Sequence, residues 1–318
     1  MGKIDIHLHL GLESIEHHTK GIAGSNPSYS EGNTPQPSVM KMSSSVDMLP
    51  HLRELGISGG IILSLGEGNA PFYKNDLARR AADAVPGVYA WMCNLDAKDI
   101  DTVETRLASY KEQGAVGIGE FAINQWIGSP FIEAVFTAAE KLGLPILFHM
   151  SPEEGFNYGL ADKPGLPLLE DAMKRHPKLI LVGHSQPFWH EISGGVKEDN
   201  ISRNSWGTGP VLPGGRLPQL LDRYPSLYCD LSANSGGNAI MRDEPYGLAF
   251  LEKYQDRLMF GTDMGNTEIT FPLGGWLDAR LADGSLSGEV YDKICTKNAE
   301  RIFGLKLIPS SRWSPSPE

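Results

Sequence analysis

Eight short apolar runs recur along the chain, and an amphipathic stretch follows each of them. The runs cover residues 4–10, 57–65, 88–95, 115–123, 145–151, 179–185, 227–232 and 258–263. They are rich in Val, Ile, Leu and Phe and lack strict polar alternation, the pattern of parallel strands buried on both faces. Between them the spacing predicts helices over 45–55, 75–84, 100–113, 131–142, 166–176, 216–224, 246–254 and 288–303. Eight strand–helix units in alternation argue for a closed α/β barrel, a (β/α)8 TIM barrel, more than for an open doubly wound sheet. No G-x-G-x-x-G turn follows the first run, so the dinucleotide-binding alternative lacks its best signal. One domain over residues 1–308 is expected, with a short tail at 309–318.

Three connections are long and polar: 11–44, 186–215 and 234–245. The first two follow strands, which places them on the C-terminal face of a barrel, where active sites form, as a lid or substrate wall. Composition narrows the partners. Lys and Arg number 28 against 39 Asp and Glu, a formal charge of −11. Such a surface repels phosphate backbones, so no nucleic-acid partner is expected. Cys93, Cys229 and Cys295 lie far apart and give neither a disulfide framework nor a zinc-finger spacing. No segment reaches the roughly 20 apolar residues of a membrane span, and the first residues show no signal-peptide stretch. A cytoplasmic protein acting on a small molecule is the resulting expectation; a homodimer is compatible with the pattern but not required by it.

The chemistry gathers at the strand ends. The first run reads Ile-Asp-Ile-His7-Leu-His9-Leu, and residues i and i+2 of a strand share a face. The fourth run carries Glu120, the fifth His149, the sixth His184 and the eighth Asp263. In a barrel these six come to one ring around the axis. Imidazole nitrogens and carboxylate oxygens are ligands for divalent Zn, Mn or Fe, and a catalytic site keeps one position for water. A single such histidine is more often a satisfied core residue. Four histidines and two carboxylates at strand ends are not readily explained that way.

The order His-x-His, then Phe-His149, Gly-His184, Phe-Gly-Thr-Asp263 and the late Lys297-Asn-Ala-Glu-Arg-Ile-Phe-Gly-Leu305, resembles the amidohydrolase superfamily. The particular form resembles its amidohydrolase-related branch, which includes aminocarboxymuconate semialdehyde decarboxylase-like enzymes and metal-dependent lactonases. The resemblance implies His7, His9 and His149 as metal ligands, with Asp263 a ligand or the acid/base beside the metal. It implies a second ion or a substrate contact for His184. Gly-Ile-Gly-Glu120 is similar to the fourth-strand glutamate of TatD-type hydrolases, which helps hold a metal pair; the alternative is a carboxylate orienting a histidine. The expected cofactor is zinc, one ion or two.

Hydrolysis of a C–O, C–N or P–O bond by metal-activated water is the leading expectation. Non-oxidative decarboxylation of an unsaturated or aromatic acid is the runner-up, and a non-catalytic metal-binding barrel is the alternative of another class. Trp126, Tyr158, Trp189, His190 and Arg203, with Phe188 and Trp206, follow strands four to six and would suit an acidic substrate. Packing of these side chains against the barrel rim is the competing reading. His17 and His18, adjacent in the first long loop, are expected in solvent.

Overall fold

The computed structural model describes residues 2–19, 38–68, 73–308 and 313. Its eight parallel strands are β1 (Lys3–Leu8), β2 (Ile57–Ile62), β3 (Tyr89–Trp91), β4 (Ile118–Phe121), β5 (Ile146–Ser151), β6 (Leu181–His184), β7 (Leu227–Asp230) and β8 (Leu258–Met259). β1 pairs with β2 and β2 with β3, while β4 to β8 pair in sequence order. Backbone bonds from Cys93 N–H to Gly117 O (3.0 Å) and from Gly119 N–H to Cys93 O (2.8 Å) join β3 to β4. At the other seam Ile6 N–H donates to Phe260 O (3.1 Å), Asp263 N–H to His7 O (2.8 Å) and His9 N–H to Met264 O (2.9 Å). These bonds tie the last strand back to the first, giving the (β/α)8 barrel.

Two apolar layers hold it. Ile4, Ile6, Ile61, Met92, Leu147, Val182, Tyr228 and Met259 form one cluster with Phe303 and Leu305. Six strands contribute to it, with Met92 just past the end of β3, and side chains from so many strands meet only inside a barrel. β4 contributes Gly119 instead. An ideal Cβ there would lie 2.9 Å from Met92 Sδ and 3.2 Å from Leu147 Cβ, so the interior admits no side chain at that point. The second, larger cluster packs the outer strand faces against the helices, for example Phe148 and Phe188 with ring centroids 6.0 Å apart. Cys93, Cys229 and Cys295 are free and buried in the apolar layers, as small hydrophobes.

Several expected elements differ. The 234–245 stretch is no loop: a helix fills Ala233–Met241. Gly236 and Gly237 lower its intrinsic propensity, yet a Cβ at Gly236 would lie 2.5 Å from Leu231 C, so the helix exists because it packs this closely. The first long loop contains an antiparallel ribbon, Ile15–Thr19 against Ser38–Met42. The side chains of His17 and His18, residues 20–37, and the tail apart from Trp313 lie outside the described residues. The 186–215 connection carries two short helices, Gln186–His190 and Asn200–Arg203. The single helix expected over 288–303 is divided by a π-turn at Lys293–Lys297. Among the described residues no helix is long and apolar enough to cross a membrane.

Gly183, one residue before His184, is held to glycine by packing. An ideal Cβ there would sit 2.2 Å from Phe188 Cε2 and 2.3 Å from Cζ. Gly183→Ala is therefore expected to destabilise the fold by about 1–3 kcal/mol through overpacking. Gly288→Ala, where a Cβ meets open space, should stay within about 0.5 kcal/mol of the parent. Urea unfolding of the two variants beside the parent measures the contrast, and equal midpoints would refute it.

Candidate metal centre

Because a strand repeats every two residues, the position two beyond each interior apolar residue also points to the axis, one layer nearer the C-terminal mouth. Leu147 is followed in this way by His149, Val182 by His184 and Tyr228 by Asp230. His7 and His9 lie on and just beyond β1, and Glu120 lies on β4. Asp263 lies four residues past β8, at φ 65°, a left-handed conformation that Asp tolerates better than most residues. Its N–H bond to His7 O fixes it beside the first strand.

The ring atoms converge on one point. His7 Nε2 and His9 Nε2 are 3.1 Å apart. Asp263 Oδ1 is 3.3 Å from the first and 3.2 Å from the second, and Glu120 Oε2 is 3.8 and 3.5 Å from them. A tetrahedral ion bound at 2.0–2.2 Å separates its ligand atoms by about 3.3–3.6 Å. The observed separations bracket that edge, so the donor set fits a divalent cation. Two overlapping triads emerge, His7–His9–Asp263 and His7–Glu120–His184. His149 is placed differently: its Nδ1 lies 2.7 Å from Glu120 Oε1, and its buried Nε2 has no partner among the described residues.

Behind the ring stands Asp230, which sequence reasoning missed. Its Oδ2 is 2.7 Å from His7 Nδ1 and 3.0 Å from His184 Nδ1, and it accepts the Ser232 hydroxyl at 2.6 Å. Ser232 Oγ itself lies 3.2 Å from His7 Nδ1 and 3.0 Å from His184 Nδ1. Burial works against the Asp230 charge, but the charge and hydrogen bonds of His7 and His184 outweigh it and hold the carboxyl far below its usual range. An ionised carboxylate only accepts, so both Nδ1 atoms carry the proton and both Nε2 lone pairs face the mouth. The available signal was the alternation Tyr228-x-Asp230-x-Ser232 within an apolar run.

The field at the mouth favours a cation. Burial opposes charge on His7 and His9, yet Asp263 and Asp230 raise the first well above the imidazole range, and Asp263 and Glu120 raise the second. Burial likewise opposes charge on Glu120 and Asp263, but His149 on the one and His7 with His9 on the other keep both carboxyls low. Tyr73, a second residue that sequence reasoning missed, sets its ring edge against His9 at 5.5 Å. Burial, with help from Asp263, pushes its phenol up to about 12, so it stays neutral.

The rim residues expected near substrate divide. The Tyr158 ring lies over His149 at 4.1 Å and is 41% exposed, so it borders the mouth. Trp189 is buried below the ring, its indole N–H donating to Asp230 O at 3.0 Å. Phe188 is core, and His190 Nε2 lies 2.8 Å from Lys197 O. Arg203, expected at an acidic substrate, is fully buried and donates to Pro152 O and Asp162 O, both at 2.8 Å. It braces the loop after β5. Trp126 lines a separate cavity of about 830 Å³ with Lys163, Asp171 and Arg175, which holds none of the ring residues.

A barrel with an imidazole–carboxylate ring at its C-terminal mouth defines a class of metal-dependent enzymes. Residues 4–305 match the amidohydrolase family, and the chain belongs to it. No curated protein matches the chain. Among solved structures it is similar to a candidate 2-pyrone-4,6-dicarboxylic acid hydrolase from Acinetobacter baumannii with citric acid bound (15% identity, TM-score 0.58, 96% of this chain and 100% of that one). It also resembles an amidohydrolase from Burkholderia multivorans with bound zinc (14%, TM-score 0.55, 96% and 100%). A third is 2,6-dihydroxybenzoate decarboxylase in complex with 2,6-dihydroxybenzoate (18%, TM-score 0.52, 96% and 100%). At these identities the likeness concerns the fold.

If Asp230 orients two ring histidines, Asp230→Asn should weaken zinc binding about 10–100-fold, as loss of such partners does. Competition with a chromophoric chelator measures this, with circular dichroism to confirm the fold. An unchanged zinc affinity in the folded variant would remove Asp230 from this role.

Proposed function

We propose that the chain is a metal-dependent hydrolase that cleaves a C–O, C–N or P–O bond of a small acidic substrate, with one zinc-type ion held by His7, His9, Asp263 and Glu120. The single ion is inferred from His7. Both donor triads use it, its Nδ1 is committed to Asp230, and one remaining lone pair binds one ion. His184 then faces the centre as a substrate contact, and His149 orients Glu120. A bound divalent ion supplies Lewis acidity and lowers the pKa of a water to about 7.

Asp263 carries the reading. Its side chain is 28% exposed, against 0–12% for the histidines and Glu120, so it meets solvent as well as the centre. Its low carboxyl range leaves it ionised at neutral pH, ready to accept a proton from attacking water at Oδ2 and return it to the leaving group. His184 Nε2, 3.8 Å from Asp263 Oδ2 and with its lone pair toward the centre, is placed to accept a hydrogen bond from substrate. A second reading, non-oxidative decarboxylation, draws on the same single-ion geometry, since charge developing on a decarboxylating acid needs a cation and no attacking water.

Elemental analysis followed by assay of ester, lactone, phosphodiester and aromatic-acid panels in 18O-water separates them. About one equivalent of zinc, loss of turnover on chelation and 18O in the product are expected. Release of CO2 without 18O incorporation would replace hydrolysis with decarboxylation. Asp263→Asn should lower kcat about 10²–10⁴-fold. Asp263→Asn and His7→Ala proteins equal to the parent in zinc content and rate would sink the site assignment.

A further inference from the structure

The ring at the mouth is made of acceptors. Asp263 and Glu120 are carboxylates. Asp230 takes the Nδ1 proton of His184 and leaves a lone pair at its Nε2. Glu120 Oε1, 2.7 Å from His149 Nδ1, does the same for His149, whose buried Nε2 has no partner among the described residues. His7 and His9 offer Nε2 to the cation. Cleavage by water places negative charge on a substrate oxygen, which a fixed hydrogen-bond donor stabilises. None of the six ring side chains supplies one.

Two phenols border the mouth. Tyr158 lies over His149 and is 41% exposed, where water reaches it. Tyr73 is half-buried beside His9, with 5.5 Å between ring centroids and 76° between ring planes. An ideal Cβ on Gly265, two residues past Asp263, would lie 3.8 Å from His9 Cβ and 3.9 Å from Tyr73 Oη. The phenol oxygen therefore sits against the loop that carries Asp263. Burial, and after it the charge of Asp263, keep this phenol protonated at neutral pH. Its hydroxyl meets no hydrogen-bond partner among the described residues.

The backbone holds Tyr73 in place. Leu65 N–H donates to Tyr73 O at 2.7 Å, and Asn75 N–H to Gly66 O at 3.1 Å. The buried Asn75 side chain accepts the Ser64 hydroxyl at 2.5 Å and Asn94 N–H at 2.8 Å, and donates to Asn94 O at 2.9 Å. Asn94 Nδ2 in turn donates to Glu120 O at 2.5 Å. One polar network thus ties the segment of Tyr73 to the ends of β2, β3 and β4. A donor fixed before substrate arrives has little order left to lose on binding.

We propose that Tyr73 is a further catalytic residue, whose hydroxyl donates a hydrogen bond to the substrate oxygen that takes up negative charge during cleavage. This rests on the hydrolase reading and adds the donor that the ring lacks. On a carbonyl substrate, water adds to the carbonyl carbon and its proton passes to Asp263. The C=O electron pair moves onto the oxygen, where the Tyr73 hydroxyl meets it. When that pair returns, the bond to the leaving group breaks, and Asp263 delivers the proton to the leaving group. Tyr73 keeps its own proton throughout.

Tyr73→Phe keeps the ring against His9 and removes only the hydroxyl. Calorimetric titration of zinc-loaded protein with methylphosphonate, a tetrahedral anion, reads the donor without turnover. The parent should bind it, and Tyr73→Phe should bind it about tenfold or more weakly. Zinc affinity, measured by chelator competition, should be unchanged in the variant. On any ester or lactone that the parent hydrolyses, kcat of Tyr73→Phe should fall about 10²–10³-fold with KM little changed. A folded Tyr73→Phe protein that binds methylphosphonate like the parent would overturn the proposal, as would a parent that does not bind it. A matching loss of zinc affinity would also overturn it, by assigning Tyr73 to positioning His9. The hydrolase reading fails on a different result, 18O-free product or turnover without zinc, so the two are told apart.

Discussion

Closure of the barrel between its last and first strands is the constraint on which the site depends. Three backbone hydrogen bonds make it, from Ile6 to Phe260, from Asp263 to His7 and from His9 to Met264. They bring residues more than 250 positions apart in sequence into register. The same bond that completes the ring of strands places Asp263 Oδ1 within 3.3 Å of both histidines of β1. No local interaction could do this, because Asp263 is four residues past a two-residue strand in a left-handed conformation. Fold and centre are thus one event: the seam that removes the open sheet edge also assembles the donors.

The histidines need holding as much as gathering. Imidazole rotates about two bonds and offers either nitrogen, so a partner on one nitrogen fixes which of the two faces the centre. Asp230 does this for His7 and His184 together, and Ser232 fills the remaining acceptor position. Glu120 extends the arrangement, with Oε1 on His149 and Oε2 toward the two histidines of β1. Three carboxylates therefore surround four imidazoles in a buried mouth. That excess negative charge accounts for the raised range of His7 and His9, and it is the field a divalent ion would satisfy.

The sequence was most legible where a short-range pattern carries the information. All eight strands stood out as apolar runs, because a strand buried on both faces must be apolar throughout, and the six ring residues interrupt or end those runs. Asp230 escaped because Leu231 follows it, so it reads as an interior residue of its run rather than its end. The Ala233–Met241 helix escaped because glycines at 236 and 237 signal a turn, while close packing on Leu231 demands the first of them. Tertiary contact overrode propensity there. Strand ends were overextended for a related reason. The run read to Asp263 continues the strand through Phe260-Gly261-Thr262, yet the backbone takes a left-handed turn at Asp263.

The rim was least legible, and Arg203 and Arg242 show why. Both are arginines on segments that follow strands, and sequence alone does not tell their surroundings apart. Arg203 is consumed by backbone: two carbonyls of the loop after β5, at Pro152 and Asp162, take its donors, and burial makes that commitment permanent. Loop backbone that folds inward must find donors for its carbonyls, and a long cation that reaches several at once is an economical way to supply them. Arg242 packs instead against the backbone of Gly207 beside a small cavity, and its buried Nε has no partner among the described residues. The difference lies in which carbonyls the loops turn toward each side chain. That depends on the folded path of the rim, whereas the strand-end ring depends only on the alternation and closure of the barrel.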